Sequence, residues 1–323
     1  MRFRGDTTTG RTDRGSVAVL GVLAMVPLVG LLAVVADLGT AHARRLELQT
    51  GTEAAALAAV RLDASGGDGC AAVASLIETN RTSTSSATVD CTRVTSGATR
   101  TVTVTAGSSE PLTFGAILGR DTADVTASAA ARLGPASSMT SLRPLAICAD
   151  HPALRAWATS GFTDDTVRRI DVESDGTTCG GDLPGNWAMI DFDGGSNSNA
   201  ELQDRIVDGY DAELRLPSTL DGDPGIPTPA LDIDVLIGST ITIPVFSAAR
   251  NGGAGAEYDL TGIVALEVVD VTMTGAASGR HLDVRFTTLT TPDAAPADPA
   301  GGVTAWGVTA WGVCALDGRG TCA

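Results

Sequence analysis

The chain has 323 residues, 43% of them hydrophobic, which suffices for real cores and excludes wholesale disorder. Every one of the 22 Lys/Arg positions is Arg, against 38 acidic residues and a net charge of −16, and beyond Leu38 only 18 Arg face 35 acids. Such a surface lacks the clustered positive charge that phosphate binding needs, so no nucleic acid is expected as a partner.

The first predicted element is the stretch Ser16 to Ala36, twenty-one residues without a charge. As a helix it is a rod of roughly 30 Å, the thickness of a bilayer's hydrocarbon core, and it is apolar all round rather than along one stripe. Pro27 sits in mid-span, where bilayer helices tolerate it. Arg2, Arg4, Arg11 and Arg14 precede the span, and Arg44 and Arg45 follow it. That asymmetry predicts a cytoplasmic tail over 1–15, a transmembrane helix over 16–36 and the bulk of the chain outside the cytoplasmic membrane, as a single-pass protein. A cleaved secretory signal is the competing reading, since Ala41-His42-Ala43 has the A-x-A form, although the apolar stretch exceeds a typical signal core.

Residues 37–135 read as a juxtamembrane helix leading into a small α+β domain. Helical character continues to Leu62, with Leu46, Leu57 and Val60 near one face and Ala54-Ala55-Ala56 permitting close packing. Gly66-Gly67-Asp68-Gly69 ends it, and a second helix follows, with Cys70, Val73, Ala74 and Ile77 on one face. Three stretches of period two are expected strands: ATVDCTRV, TRTVTVTA and TADVTASAAAR. Between the last two, EPLTFGAILGR is expected as a short helix with Pro111 in its first turn and Gly119 at its end. The unit should end near Leu133, and GPASSMTSLRP looks like a linker.

Residues 136–323 read as a larger β-rich domain. The strand candidates are PLAICA, VRRIDVE, WAMIDFD, ITIPVF, TGIVALEVVDVTM and HLDVRFTTL, and ELQDRIVDGY is the best helix. Arg250-Asn251-Gly252-Gly253 and the Pro-rich PDAAPADPAGG are loops. GVTAWGVTAWGV repeats a pentapeptide, a duplication whose odd spacing would put Trp306 and Trp311 on opposite faces of a continuous strand.

Six cysteines fall in the part expected outside, none with C-x-x-C spacing, so disulfides are favoured over a metal site. Six allow fifteen pairings, which spacing alone does not resolve. The expected set is Cys70–Cys91, which joins the apolar face of a helix to the inward face of a strand, with Cys148–Cys179 and Cys314–Cys322 from proximity in sequence.

Catalytic motifs are missing: there is no G-x-S-x-G, H-E-x-x-H or G-x-x-x-x-G-K-[ST], and His42, His151 and His281 are far apart. No catalytic residue, cofactor or enzymatic activity is therefore expected. The nearest approach to a metal site is Asp191, Asp193 and Asn197, oxygen ligands at alternate positions that suit Ca²⁺ but depart from the EF-hand pattern at its fifth, sixth and twelfth positions. Acidic turns in solvent are the plainer reading of these residues, as of Asp221/Asp223 and Asp232/Asp234.

The segment RGSVAVLGVLAMVPLVGLLAVVADLG, the alanine-rich LQTGTEAAALAAV and VTVTAGSSEPLTFGAILGRDTADVTASAAARLGP resemble, in that order, the TadE/TadG-like proteins of tight-adherence (Flp) pilus assembly. PLAIC, CGGDLPGNWAMIDFDGG, IVDGY and STITIPVFSAARNGGAGAEYDLTG are similar to the extracytoplasmic part of longer members. The resemblance implies an anchored, non-enzymatic component that builds or holds adhesive pili, with a small pilin-like domain above the membrane and other pilus-assembly proteins or pilin subunits as partners. Prepilin-type members are cut after a glycine and carry Glu at the fifth residue beyond it. Here Gly15 and Leu20 stand at those places, so a retained anchor is expected. The alternative function is a surface adhesin whose β-rich domain binds a glycan or protein ligand.

Overall fold

The structure, a computed structural model, describes residues 14–171, 179, 187–195, 198–224, 231–251, 255–274, 279–316 and 322, without the side chains of 14–18 and 118. The tail 1–13, Asn197, Gly252-Gly253 and the turn 317–320 lie outside the described residues.

A single helix, α1 (Arg14–Ala64), takes in both the apolar stretch and the juxtamembrane segment, with Pro27 inside it. Its 51 residues make a rod of roughly 75 Å. The upper part packs through Leu48, Ala55, Ala56, Ala59 and Val60, all essentially buried. This differs from the face expected of Leu46, Leu57 and Val60, because Leu46 points outward at 56% exposure. The seam selects the alanines, whose small side chains let a sheet lie close against the helix. The helix α2 (Gly69–Thr79) folds back with Val73 and Ile77 buried, while Ala74 of the expected face is exposed.

The strands β1 (Thr88–Ser96), β2 (Thr99–Pro111) and β3 (Thr122–Met139) form an antiparallel run. Val102, Val104, Ala106, Val125, Ala127 and Ala129 alternate inward and pack under α1. The helix expected over Glu110–Arg120 is absent. Glu110 and Pro111 finish β2, paired with Ala123 and Thr122, and only Gly115–Leu118 forms a short 3-10 turn. Glu110 is held in the strand by an ion pair with Arg81 at 3.0 Å, both side chains buried.

The expected linker at 134–144 also takes another form, since its first six residues are the last third of β3. Its Gly/Ala/Ser composition reads locally as a loop. Gly134, however, lies against Thr99, whose Oγ1 would be 2.9 Å from a Cβ there, so the small residues are what let neighbouring chain segments close in.

Beyond β3 come β4 (Leu145–Cys148), α3 (Pro152–Thr159), β5 (Arg168–Asp171), β6 (Trp187–Ile190), α4 (Asn199–Asp208), β7 (Leu214–Arg215) and β8 (Ser218–Pro224). They are followed by β9 (Thr240–Arg250), β10 (Ala256–Thr272), β11 (His281–Thr287), β12 (Leu289–Thr291), β13 (Ala294–Pro296) and β14 (Val308–Cys314). The strand candidates of the β-rich part all recur here, and α4 matches the expected helix. The helix α3, capped by His151, has no expected counterpart.

Two sheets result. The first runs β1-β2-β3-β14-β12, with β7 and β13 also on β3. The second runs β5-β11-β10-β8-β6-β4-β9, and the long β10 pairs with β9 as well as β8, so five of its strands close into a ring. Both faces of its strands are covered. Leu145, Ile147 and Met189 face one core with Trp157 and Trp187, and Ala146, Ala188 and Ile190 face another with Phe246 and Tyr258. This is why these strands read as continuous apolar runs rather than alternating ones. Trp306 enters the first of these cores and Trp311 packs against the core beneath α1, so the two copies of the repeat serve different cores.

Candidate membrane-proximal site

Helix α1 exposes Val22, Leu23, Met25, Val26, Leu28, Val29, Leu31 and Leu32 to well over half their full surface. It is the one helix among the described residues long and apolar enough to cross a membrane. Burial begins at Asp37, the first charge beyond the span and only 8% exposed.

Three backbone N–H groups converge on that carboxylate. Thr113 donates to Oδ1 at 2.9 Å, Phe114 to Oδ2 at 2.9 Å and Gly115 to Oδ2 at 2.6 Å. These N–H groups lead into the 3-10 turn, where free donors and the local dipole favour an anion. The loop is closed on itself, with the Leu112 N–H donating to Asp121 O at 2.9 Å and that of Arg120 to Gly115 O at 3.0 Å. Gly115 is required here, because a Cβ would lie 2.6 Å from the Arg120 carbonyl oxygen. Phe114 and Ile117, 41% and 82% exposed, project from this loop beside Gly30, Ala33 and Val34 of the span.

Two further carboxylates fix α1 higher up. Glu47 pairs with Arg44 at 2.9 Å and accepts the Thr82 N–H, and the Arg44 contact above all holds its carboxyl below the usual range. Asp63, buried at the top, pairs with Arg93 Nε at 2.7 Å and accepts the Gly69 N–H at 2.9 Å. Asp37, Glu47 and Asp63 thus clamp the loop after β2, the segment after α2 and the β1 strand to one helix, over roughly 40 Å. In the sequence Asp37 is simply the first charge after the apolar stretch. Its partners are more than seventy residues away, in a segment that reads from sequence as a short helix.

The structure brings Asp191 and Asp193 together around an internal cation. Arg205 of α4 lies 3.6 Å from Asp191 and 2.7 Å from Asp193, and also contacts Glu201. Its guanidinium faces the Tyr210 ring at 5.5 Å. Burial pushes the Asp193 carboxyl upward, but the Gly195 N–H, Asp191 and Arg205 outweigh it and leave the group below its ordinary range. Among the described residues no three His, Cys, Asp or Glu side chains converge as a metal site. Asp232 is drawn elsewhere, its N–H donating to Gln203 at 2.7 Å. The histidines stay apart: His42 on α1, His281 on β11, and His151 accepting the Ala153 N–H at 3.2 Å to cap α3. Cys70 is bonded to Cys91, Cys148 to Cys179 and Cys314 to Cys322, with Cα separations of 5.7, 5.7 and 5.3 Å.

Residues 15–63, which make up nearly all of α1, match the family model described as "Putative Flp pilus-assembly TadE/G-like". No curated protein and no solved structure matches the chain. The matched segment carries both the exposed apolar span and the three clamping carboxylates, and over it the chain is similar to the TadE/TadG-like Flp pilus-assembly proteins.

Proposed function

We propose that this protein is a membrane-anchored, non-enzymatic component of Flp pilus assembly. It is held by residues 16–36 in the cytoplasmic membrane, with residues 1–15 inside and the β-rich bulk outside. The observation that carries the reading is the unbroken α1, in which one continuous rod, the same one matched by the family, passes from a lipid-compatible surface into the alanine seam of the head. A rod fixed at three heights transmits position and force from the membrane to the head, which suits a part that anchors or orients other pilus-assembly proteins or pilin subunits. Leu20 in place of the prepilin glutamate supports retention of the span rather than processing.

The test is fractionation with protease protection. The chain is expected to resist carbonate extraction, to lose its head to protease added outside, and to begin at or near Met1 on N-terminal sequencing. A soluble chain, or one that starts at Ser16 or Arg44, would overturn the anchor.

A further inference from the structure

We infer that the loop Phe114–Leu118 is a second membrane contact, a wedge seated among lipid headgroups and upper acyl chains beside the span; this rests on the anchor reading above. Ile117 is 82% exposed and Phe114 41%, an unusual outlay of apolar surface at the tip of a tightly bonded loop. Their height is set by the Asp37 carboxylate, which accepts N–H groups from Thr113, Phe114 and Gly115. From that fixed point the two side chains line a small cavity together with Gly30, Ala33 and Val34. Gly30 is seven residues down the rod, roughly 10 Å below Asp37 and inside the charge-free stretch. Small residues on this face of α1 make the room. Ala33 is half-buried while every other described side chain from 19 to 36 is exposed, so the loop is what covers it.

The occupant follows from position. A surface continuous with the lipid-facing side of the span, at the depth of Gly30 to Val34, meets hydrocarbon before anything else. Asp37, the acid at the end of the span, already has its oxygens bonded to backbone donors, and Asp121, exposed beside Arg120 where the loop closes, stays on the headgroup side. With the loop seated, Arg120, exposed at its far end, would meet headgroup phosphates while Phe114 and Ile117 enter the apolar layer. The loop would add a second point of attachment and so restrict rotation and tilt of the rod.

The experiment uses the full chain with its disulfides intact, in phosphatidylcholine/phosphatidylglycerol vesicles. A single environment-sensitive fluorophore is attached through Ile117→Cys or Phe114→Cys, with Val29→Cys on the span and Val207→Cys on α4 as references. The expected result is a blue shift at 114 and 117, with emission lost to lipid-borne doxyl quencher and kept against aqueous iodide, as at 29 and opposite to 207. Loss to iodide at 114 and 117, with 29 still quenched from the lipid, would overturn the wedge and leave the anchor standing. Protection from both quenchers would mean that protein covers the loop, as in a second copy, and would overturn it too. Iodide quenching at 29 would remove the anchor and the wedge together.

Discussion

Gly69 opens α2 and has no room for a side chain, since a Cβ there would lie 2.1 Å from the Ala59 carbonyl oxygen of α1. Gly51, also on α1, has nothing within 4 Å of the same position. Gly69→Ala is therefore expected to destabilise the chain by about 1–3 kcal/mol through overpacking. Gly51→Ala should be neutral or stabilising by up to about 1 kcal/mol, because helical glycine carries an entropic penalty. Denaturant unfolding of the two variants in detergent checks both signs. Glu110 offers a test in pH. Burial pushes its carboxyl up, but hydrogen bonds from Ser108 and Ser83 and the charges of Arg81 and Arg44 outweigh it and hold the group below the ordinary glutamate range. A depressed carboxylate stabilises the fold above the unfolded value and loses that contribution as pH falls through the folded one. The stability gap between wild type and Glu110→Gln should be full at pH 7 and shrink as pH falls below about 4.5. A gap that widened in acid would refute the assignment.

At the scale of elements, the chain ties helix to sheet by covalent as well as polar contacts. The Cys70–Cys91 bond joins α2 to β1 across 21 residues, and Cys314–Cys322 spans 8. In the chain-entropy model a loop of this larger size is worth about 3 kcal/mol and a shorter one less. Cys70→Ser with Cys91→Ser should accordingly lower the unfolding midpoint more than Cys314→Ser with Cys322→Ser. Non-reducing peptide mapping is expected to recover the three linked pairs, and a Cys70 peptide linked to Cys179 or Cys314 would contradict them. The strand β14 adds a polar tie, with Arg61 of α1 5.0 Å from the centre of the Trp311 ring.

For the whole molecule, β3 is the shared member. Its first part pairs with β2 and its later part with β14, β13 and β7, so segments from both expected units meet on one strand. Limited proteolysis of the full chain should therefore spare residues 134–139, which are strand-paired and mostly buried. Early cleavage there, leaving a stable C-terminal fragment, would instead favour two units joined by an open linker.

Much of this was legible locally. The span, α2, the alternating faces of β1 to β3 and the apolar runs of β4, β6, β9 and β10 follow from periodicity and length, because each is a response of nearby residues to one buried surface. The family resemblance rested on α1, on the β2 to β3 segment and on stretches of the β-rich part, and the family model covers the α1 part of it. Other features depended on partners far away in sequence. Glu110 and Pro111 are strand rather than helix because Arg81, Ala123 and Thr122 meet them. Residues 134–139 extend β3 because Thr99, β13 and β14 close on them. Asp191 and Asp193 look like ligands in one dimension, yet Arg205 supplies their countercharge in three. The sequence by itself determined where apolar surface must be buried or placed in lipid. Only the tertiary structure decided which distant donor, cation or strand edge satisfies each remaining polar group, since such pairing depends on distances that local pattern does not encode.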